Sequence, residues 1–297
     1  MPNQPIHRAG FVNIIGKPNV GKSTLMNAFM GEKFSIITSK AQTTRHRILG
    51  ILNEDDYQIV FSDTPGIIDP KYGLQKSMMR FVNMALEDAD ILLYIREANM
   101  PLAADEDIQK KIEGVEAPLF VLINKVDVST QDVITDQVAY WKKQNFVDGV
   151  FEISALKHAG IAGLKEAIIE KLPVSPPYFP KDQITDRPEK FFVEEIIREK
   201  ILLNYKQEIP YSVEVYTESF KEEENIIRIR AVIFTERQSQ KPILIGKNGS
   251  KLKTVGTQAR ADLEAFFGKQ IYLETFVKVK ENWRDDERKL RQFGYEG

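Results

Sequence analysis

Two hydrophobic rhythms divide the chain. Over its first half, uninterrupted apolar runs recur at Phe11–Ile15, Tyr57–Phe61, Ile91–Ile95 and Leu119–Ile123, with a shorter one at Val150–Ile153. Helical patterns fall between or after them, at Ser23–Met30, Ser77–Leu86, Ile108–Ile112, Val133–Lys143 and Leu164–Leu172. Runs without polar alternation predict strands covered on both faces, and the intervening helices serve as crossovers. The expected fold is α/β, a doubly wound and mostly parallel sheet whose ligands lie beyond the carboxyl ends of the strands.

Residues 173–180 read Pro-Val-Ser-Pro-Pro-Tyr-Phe-Pro, a composition that predicts a stiff, extended connector. After it the rhythm changes. Phe192, Val193, Ile196, Ile197, Ile201, Leu202 and Tyr205 mark one face of a helix. Val213, Val215, Thr217 and then Ile227, Ile229, Ala231, Ile233 alternate as two strands. A short apolar stretch to Ile245, a helix faced by Leu252, Val255, Ala259, Leu263 and Phe266, and a strand at Ile271–Val279 follow. The order helix, two strands, two helices, strand predicts a smaller α+β domain. Boundaries are set at 1–175, a linker at 176–190, and 191–297.

Composition narrows the classes. A length of 297 residues suits two domains, and 42% hydrophobic with 28% charged residues is ordinary for a globular chain. No apolar run approaches the ~20 residues of a membrane span. The amino terminus lacks the apolar segment of a secretory signal. The absence of cysteine excludes disulfides, thiolate metal sites and cysteine nucleophiles, and is compatible with a cytoplasmic protein. A net charge of −2 gives no general affinity for nucleic acid, so any such affinity needs local clustering.

The chemistry begins at Gly16-Lys17-Pro18-Asn19-Val20-Gly21-Lys22-Ser23-Thr24, a strand–loop–helix junction with P-loop spacing. Its backbone N–H groups and helix terminus suit phosphate oxygens, Lys22 suits the β- and γ-phosphates, and the Ser23 hydroxyl suits Mg²⁺. Asp63-Thr-Pro-Gly66 follows the next strand, where Asp63 can hold the metal through a water and Gly66 can approach the γ-phosphate. Gln42-Thr43-Thr44-Arg45 lies between them as a switch segment, and Thr44 is favoured over Thr43 as the metal-binding hydroxyl. Lys22, Thr44, Asp63 and Gly66 are thus the catalytic candidates, with Ser23, Thr44 and Asp63 the metal set.

Asn124-Lys125-Val126-Asp127 decides the base. A carboxylate accepts from both N1–H and the 2-amino group of guanine, whereas adenine offers neither, so Asp127 selects guanine. Lys125 can pack on the base, and Asn124 can tie neighbouring loops. Ser154, Ala155 and Leu156 could turn backbone N–H groups toward the guanine O6. In the second domain, Gly246-Lys247-Asn248-Gly249 lies inside a stretch from Arg237 to Arg260 that holds six basic residues and no acidic one. A Gly-x-x-Gly loop with a lysine inside it can lie against a sugar–phosphate backbone. Lys247, Asn248, Lys251 and Lys253 are the candidate phosphate contacts, with Ile243 and Ile245 as apolar support for unstacked bases.

Together these motifs match translation-factor-type GTPases, and the Gly-Lys-Pro-Asn-Val-Gly-Lys-Ser and Gln-Thr-Thr-Arg wording resembles the Era family. The second domain resembles a type II KH domain. The resemblance implies a Mg²⁺-dependent GTP hydrolase, monomeric and cytoplasmic or peripheral at the inner face of the cell membrane. It also implies binding to 16S rRNA near its 3′ end during assembly of the small ribosomal subunit. A binding module with GTP as a slow conformational switch is the alternative. One departure from the small regulatory GTPases stands out: their water-orienting glutamine is replaced by Ile67. GTPases of similar wording recruit a K⁺ ion through the asparagine at the position of Asn19, and Arg45 is the other nearby source of positive charge.

Overall fold

The computed structural model of the chain describes residues 7–31, 35–40 and 42–295; the ends of the expected first and last domains lie outside the described residues. The first part runs β1 (Arg8–Ile15), α1 (Lys22–Met30), β2 (Ile48–Asn53), β3 (Tyr57–Asp63), α2 (Gly73–Glu87), β4 (Ile91–Glu97), α3 (Glu106–Ile112), β5 (Leu119–Asn124), α4 (Gln131–Lys142), β6 (Gly149–Glu152) and α5 (Ile161–Lys171). Its six strands form one sheet in the order β2-β3-β1-β4-β5-β6. Every pairing is parallel except β2 with β3, where Ile48 lies opposite Asp63. All of β5, and β4 up to Arg96, are buried, as strands between two helical layers must be. From β1 the chain turns to β3 on one side and β4 on the other, so the crevice of this sheet opens at the carboxyl end of β1.

Two expectations need correction. The edge strand β2 was not among the predicted runs, and α2 begins at Gly73 rather than Ser77. The proline-rich linker is also not a free spacer. Ile51 donates its N–H to the Ile184 carbonyl (2.9 Å), Leu49 donates to Asp186 (3.1 Å), and the Thr185 hydroxyl donates to the Leu49 carbonyl (2.7 Å). The connector therefore covers the exposed edge that β2 would otherwise present.

The second part comprises α6 (Glu189–Asn204), β7 (Val213–Glu222), β8 (Ile226–Thr235), α7 (Gln240–Ile245), α8 (Ser250–Phe267), β9 (Gln270–Val279) and α9 (Glu287–Gln292). β7 and β8 are antiparallel, and β8 and β9 parallel. Ile227, Ile229, Ala231 and Ile233 point to one face, where they pack with residues of α6 and α8 such as Ile197, Ile201, Val255 and Leu263. Helix α6 is buried on more than its apolar face, because it lies between this sheet and the first domain. Its buried charges are paired: Arg198 with Glu195, Lys200 with Glu199 and Asp262. Trp283, Leu290, Phe293 and Tyr295 of the tail form a cluster with Leu74, Met78 and Phe81 of α2, so the tail joins the two domains. Trp283 is fully buried and donates to the Ser212 carbonyl (3.0 Å); it packs rather than facing a ligand.

Glu194 on α6 accepts the Thr217 N–H of β7 (2.7 Å). Burial pushes its carboxyl up to about 7; the Thr217 bond opposes the rise, and Glu214 and Glu195 add to it. The folded chain therefore holds a proton here that the unfolded chain has lost, and this group's contribution to stability falls as pH rises toward 7. Glu194→Gln is expected to flatten that part of the pH–stability curve between pH 5 and pH 7 in chemical denaturation. An unchanged slope would contradict the assignment.

Candidate functional site

At the carboxyl ends of β1, β3 and β5 a cleft is lined by Pro18, Asn19, Gly21, Lys22, Ser23, Thr24, Thr44, Gly66, Asn124, Lys125, Asp127, Ser154 and Leu156. Sequence elements separated by more than a hundred residues thus meet on one wall. Gly21 sits at φ 108°, and a Cβ there would come within 2.2 Å of the Asn124 amide, so this turn requires glycine. Lys22 is buried and donates to the carbonyls of Gly16 (3.1 Å) and Lys17 (2.8 Å). Burial lowers its ammonium to about 8, partly offset by Asp63. A phosphate beside it would raise that value again.

Three oxygens converge beside Lys22. Ser23 Oγ lies 2.9 Å from Thr44 Oγ1 and donates to Asp63 Oδ2 (2.7 Å), and Thr44 Oγ1 lies 3.4 Å from the same carboxylate oxygen. Among the described residues, the other carboxylate oxygen, Oδ1, is buried with no hydrogen-bond partner. Thr43 points away, to Thr38 Oγ1 (2.7 Å) and the Lys40 carbonyl (2.6 Å), so geometry favours Thr44 of the pair. Burial raises the Asp63 carboxyl above its ordinary value, against hydrogen bonds from Ser23 and the Lys22 charge. A cation would reverse that rise. The donor set and the orphaned oxygen fit a hard divalent metal.

The loop of Asp63 to Gly66 is tied to the P-loop: the Thr64 hydroxyl donates to the Ile14 carbonyl (2.7 Å) and Ile67 N–H to the Gly16 carbonyl (3.0 Å). The Ile67 side chain packs against the core behind β4 and β5 and leaves the water-orienting position apolar. Arg45 is fully buried away from the cleft. It donates to the Val213 carbonyl (2.8 Å), to Glu214 (3.0 Å) and to the Pro210 carbonyl (3.2 Å). It is therefore a domain contact, not the nearby cation the sequence offered.

At the other end of the cleft, Asn124 donates to the Val20 carbonyl (2.7 Å) and accepts the Ala155 N–H (3.0 Å), joining three loops. A guanine O6 would have to share that Ala155 donor. Lys125 is steadied by Glu97 (2.8 Å), and Asp127 is exposed at the mouth beside exposed Val128 and Leu156.

In the second domain Gly246, Lys247, Asn248 and Gly249 form a one-turn loop between α7 and α8, with Lys247, Asn248, Lys251 and Lys253 exposed. Gly246 sits at φ 73°, and a Cβ there would press on Lys251 at 2.8 Å. The adjoining groove lies between α8 and β9, lined by Gly249, Leu252, Lys253, Gly256, Thr257, Arg260, Leu273 and Thr275. Its apolar floor comes from Leu252 and Leu273. Ile245 packs against the core, and neither it nor Ile243 lines the groove. The alternation of β9 was the signal for Leu273 and Thr275; the bare helical surface at Gly256 was the other.

Two family models match, one described as 50S ribosome-binding GTPase over residues 11–125 and one as KH domain over residues 208–284. GTPase Era of Caldanaerobacter subterraneus subsp. tengcongensis is 45% identical over 293 residues, 97% of this chain and 98% of its own. This chain belongs to the Era family of GTPases. The chloroplastic GTPase ERA1 of Zea mays is 44% identical across 98% of this chain and 71% of its own length. A crystal structure of Era in complex with MgGDPNP and nucleotides 1506–1542 of 16S ribosomal RNA superposes with a TM-score of 0.91 at 40% identity, covering 97% of this chain and 99% of that one. A point variant of Aquifex aeolicus Era bound to GDP·AlF4⁻ gives the same values.

If Asp127 reads the 2-amino edge of guanine in this Era chain, Asp127→Asn reverses the demand there. It is expected to weaken GTP by at least tenfold and to favour xanthosine triphosphate, whose 2-oxo group accepts. Competition binding of the two nucleotides checks this, and unchanged GTP affinity would refute it.

Proposed function

We propose that this chain hydrolyses GTP with Mg²⁺ and uses the nucleotide state to govern binding of its KH domain to the 3′ region of 16S rRNA in small-subunit assembly. Ser23, Thr44 and Asp63 would hold the metal, with Lys22 and the P-loop N–H groups on the β- and γ-phosphates. The metal would neutralise charge that builds on the phosphate oxygens.

The observation that carries the coupling is the grip of the second domain on the switch segment. Arg198 donates to the carbonyls of Gln42 (3.3 Å) and Thr43, Arg45 enters β7, and Lys40 donates to the Leu202 and Tyr205 carbonyls at the end of α6. The Tyr205 hydroxyl donates in turn to the Leu244 carbonyl (2.5 Å), two residues before Gly246. Hydrogen bonds thus lead from the segment proposed to hold the metal toward the loop proposed to hold RNA. The tail holds α2 as well, with Asp285 accepting the Gly73 N–H (2.7 Å). Replacing Lys247 and Asn248 with aspartate is expected to abolish RNA binding and leave GTP affinity intact. RNA binding that survives the pair of changes would move the site elsewhere.

With Ile67 packed away and Arg45 committed to the domain contact, positive charge near the transferring phosphate needs another source. Asn19 stands at the mouth of the cleft and donates to the Ser39 carbonyl (2.9 Å), which brings an amide and switch carbonyls together. These groups suit a K⁺ ion. Turnover is expected to be faster in K⁺ than in Na⁺ at equal ionic strength, with the difference lost in Asn19→Ala. Equal rates in K⁺, Na⁺ and Rb⁺ would leave an external partner as the source of charge.

A further inference from the structure

The second sheet has two faces, and the reading above uses one. Ile227, Ile229, Ala231 and Ile233 point to the helices; by strand alternation Arg228 and Arg230 point the other way, with Tyr216 across β7 and Tyr272 and Phe276 across β9. At Glu214 and Phe234 this face is covered by Arg45 and the tail, and beyond them it is open. Tyr216, Tyr272 and Phe276 are 38%, 48% and 37% exposed, a large aromatic area to leave in water. The Arg230 guanidinium lies 4.5 Å from the Phe276 ring centre and that of Arg228 5.5 Å from that of Tyr272. Aromatic rings interleaved with guanidinium planes on an open sheet are the surface on which unpaired bases stack.

The outer face is also continuous with the groove. Arg260 lines the groove between α8 and β9, and it lines a second hollow beside it together with Lys269 and Tyr272. Gly-x-x-Gly loop, groove, Arg260, second hollow and Tyr272 therefore follow one another around the end of β9. A KH loop clamps about four nucleotides, whereas the RNA bound by the solved relative spans nucleotides 1506–1542. Much of such an RNA must lie beyond the groove.

We infer that the outer face of the second sheet, centred on Tyr272 and Phe276 with Arg228 and Arg230, is a stacking platform for unpaired RNA bases that run on from the groove past Arg260. The inference rests on the RNA-binding reading above. The arginines of the platform are paired, Arg228 with Glu223 and Arg230, like Lys278, with Glu218, and the face also carries Glu274, which accepts the Tyr272 hydroxyl (3.3 Å). Few counterions would be released there, so its share of the affinity is stacking and depends weakly on salt.

The test uses the full chain with a non-hydrolysable GTP analogue and nested fragments of 16S nucleotides 1506–1542, from four nucleotides upward. Wild-type affinity is expected to rise in two stages with length. Tyr272→Ala with Phe276→Ala should lose about tenfold in the second stage only, and Tyr272→Phe with Phe276→Tyr should keep it. Unchanged binding of the shortest fragments and of the nucleotide shows that the domain is intact. A single-stage rise in wild type, or equal loss at every length, would overturn the platform while leaving the groove in place. Loss of affinity for the ribosomal subunit without loss for free RNA would make the face a protein contact and also overturn it. If no fragment binds even in wild type, the RNA reading itself fails.

Discussion

Two adjacent residues, Thr44 and Arg45, hold this molecule together as a functional unit. Thr44 turns into the first domain, to Ser23 and Asp63, and Arg45 turns into the second, to Glu214 and the backbone around Val213. Whatever orders Thr44 therefore also fixes where Arg45 enters the other domain. The Arg45–Glu214 pair is buried on both sides, with Tyr295 adding a hydrogen bond to Glu214 (2.7 Å). Breaking such a pair by removing one partner costs about 3–5 kcal/mol. The domains thus have a strong reason to stay docked while the switch segment is in place, and to lose that docking when it is withdrawn.

The remaining contacts amplify the same constraint. Arg198 and Lys40 satisfy backbone carbonyls across the boundary, and the tail carries Trp283 and Tyr295 against α2. His46, next in sequence, stacks on Tyr295 with ring centres 4.2 Å apart; burial first, then Arg187, Arg198 and Arg45, hold it neutral. The segments that follow α1 and β3 are the ones the second domain touches. Typical couplings between two sites amount to about 1–3 kcal/mol, well within what this interface could transmit.

The nucleotide cleft was legible because its signals are local. Gly16 to Thr24 fixes a strand–loop–helix junction by spacing alone, and Asp63 and Asn124–Asp127 follow apolar runs that can only be strands. The sequence favours Thr44 over Thr43, and in the structure the Thr44 hydroxyl lies beside Ser23 while that of Thr43 turns to Thr38. What depends on contact between domains was not legible. Arg45 read as a source of positive charge beside the cleft, but it is buried because Glu214 and the carbonyl of Val213, more than a hundred residues away, satisfy it. The linker read as a stiff, extended connector, and nothing local reveals that Ile184 and Thr185 would pair with β2. Ile245 read as an RNA contact, but the turn at Gly246 leaves it facing the core.

The central claim is that nucleotide and RNA communicate through Arg45. Linkage requires RNA to change the preference for GTP over GDP by the factor by which GTP changes RNA affinity. The decisive measurement is that preference, by titration with and without RNA, in the wild-type chain and in Arg45→Gln. RNA should shift the wild-type preference about fivefold or more, and the variant should lose the shift while still binding both nucleotides and RNA. A variant that keeps the full shift would show that the signal travels by another route.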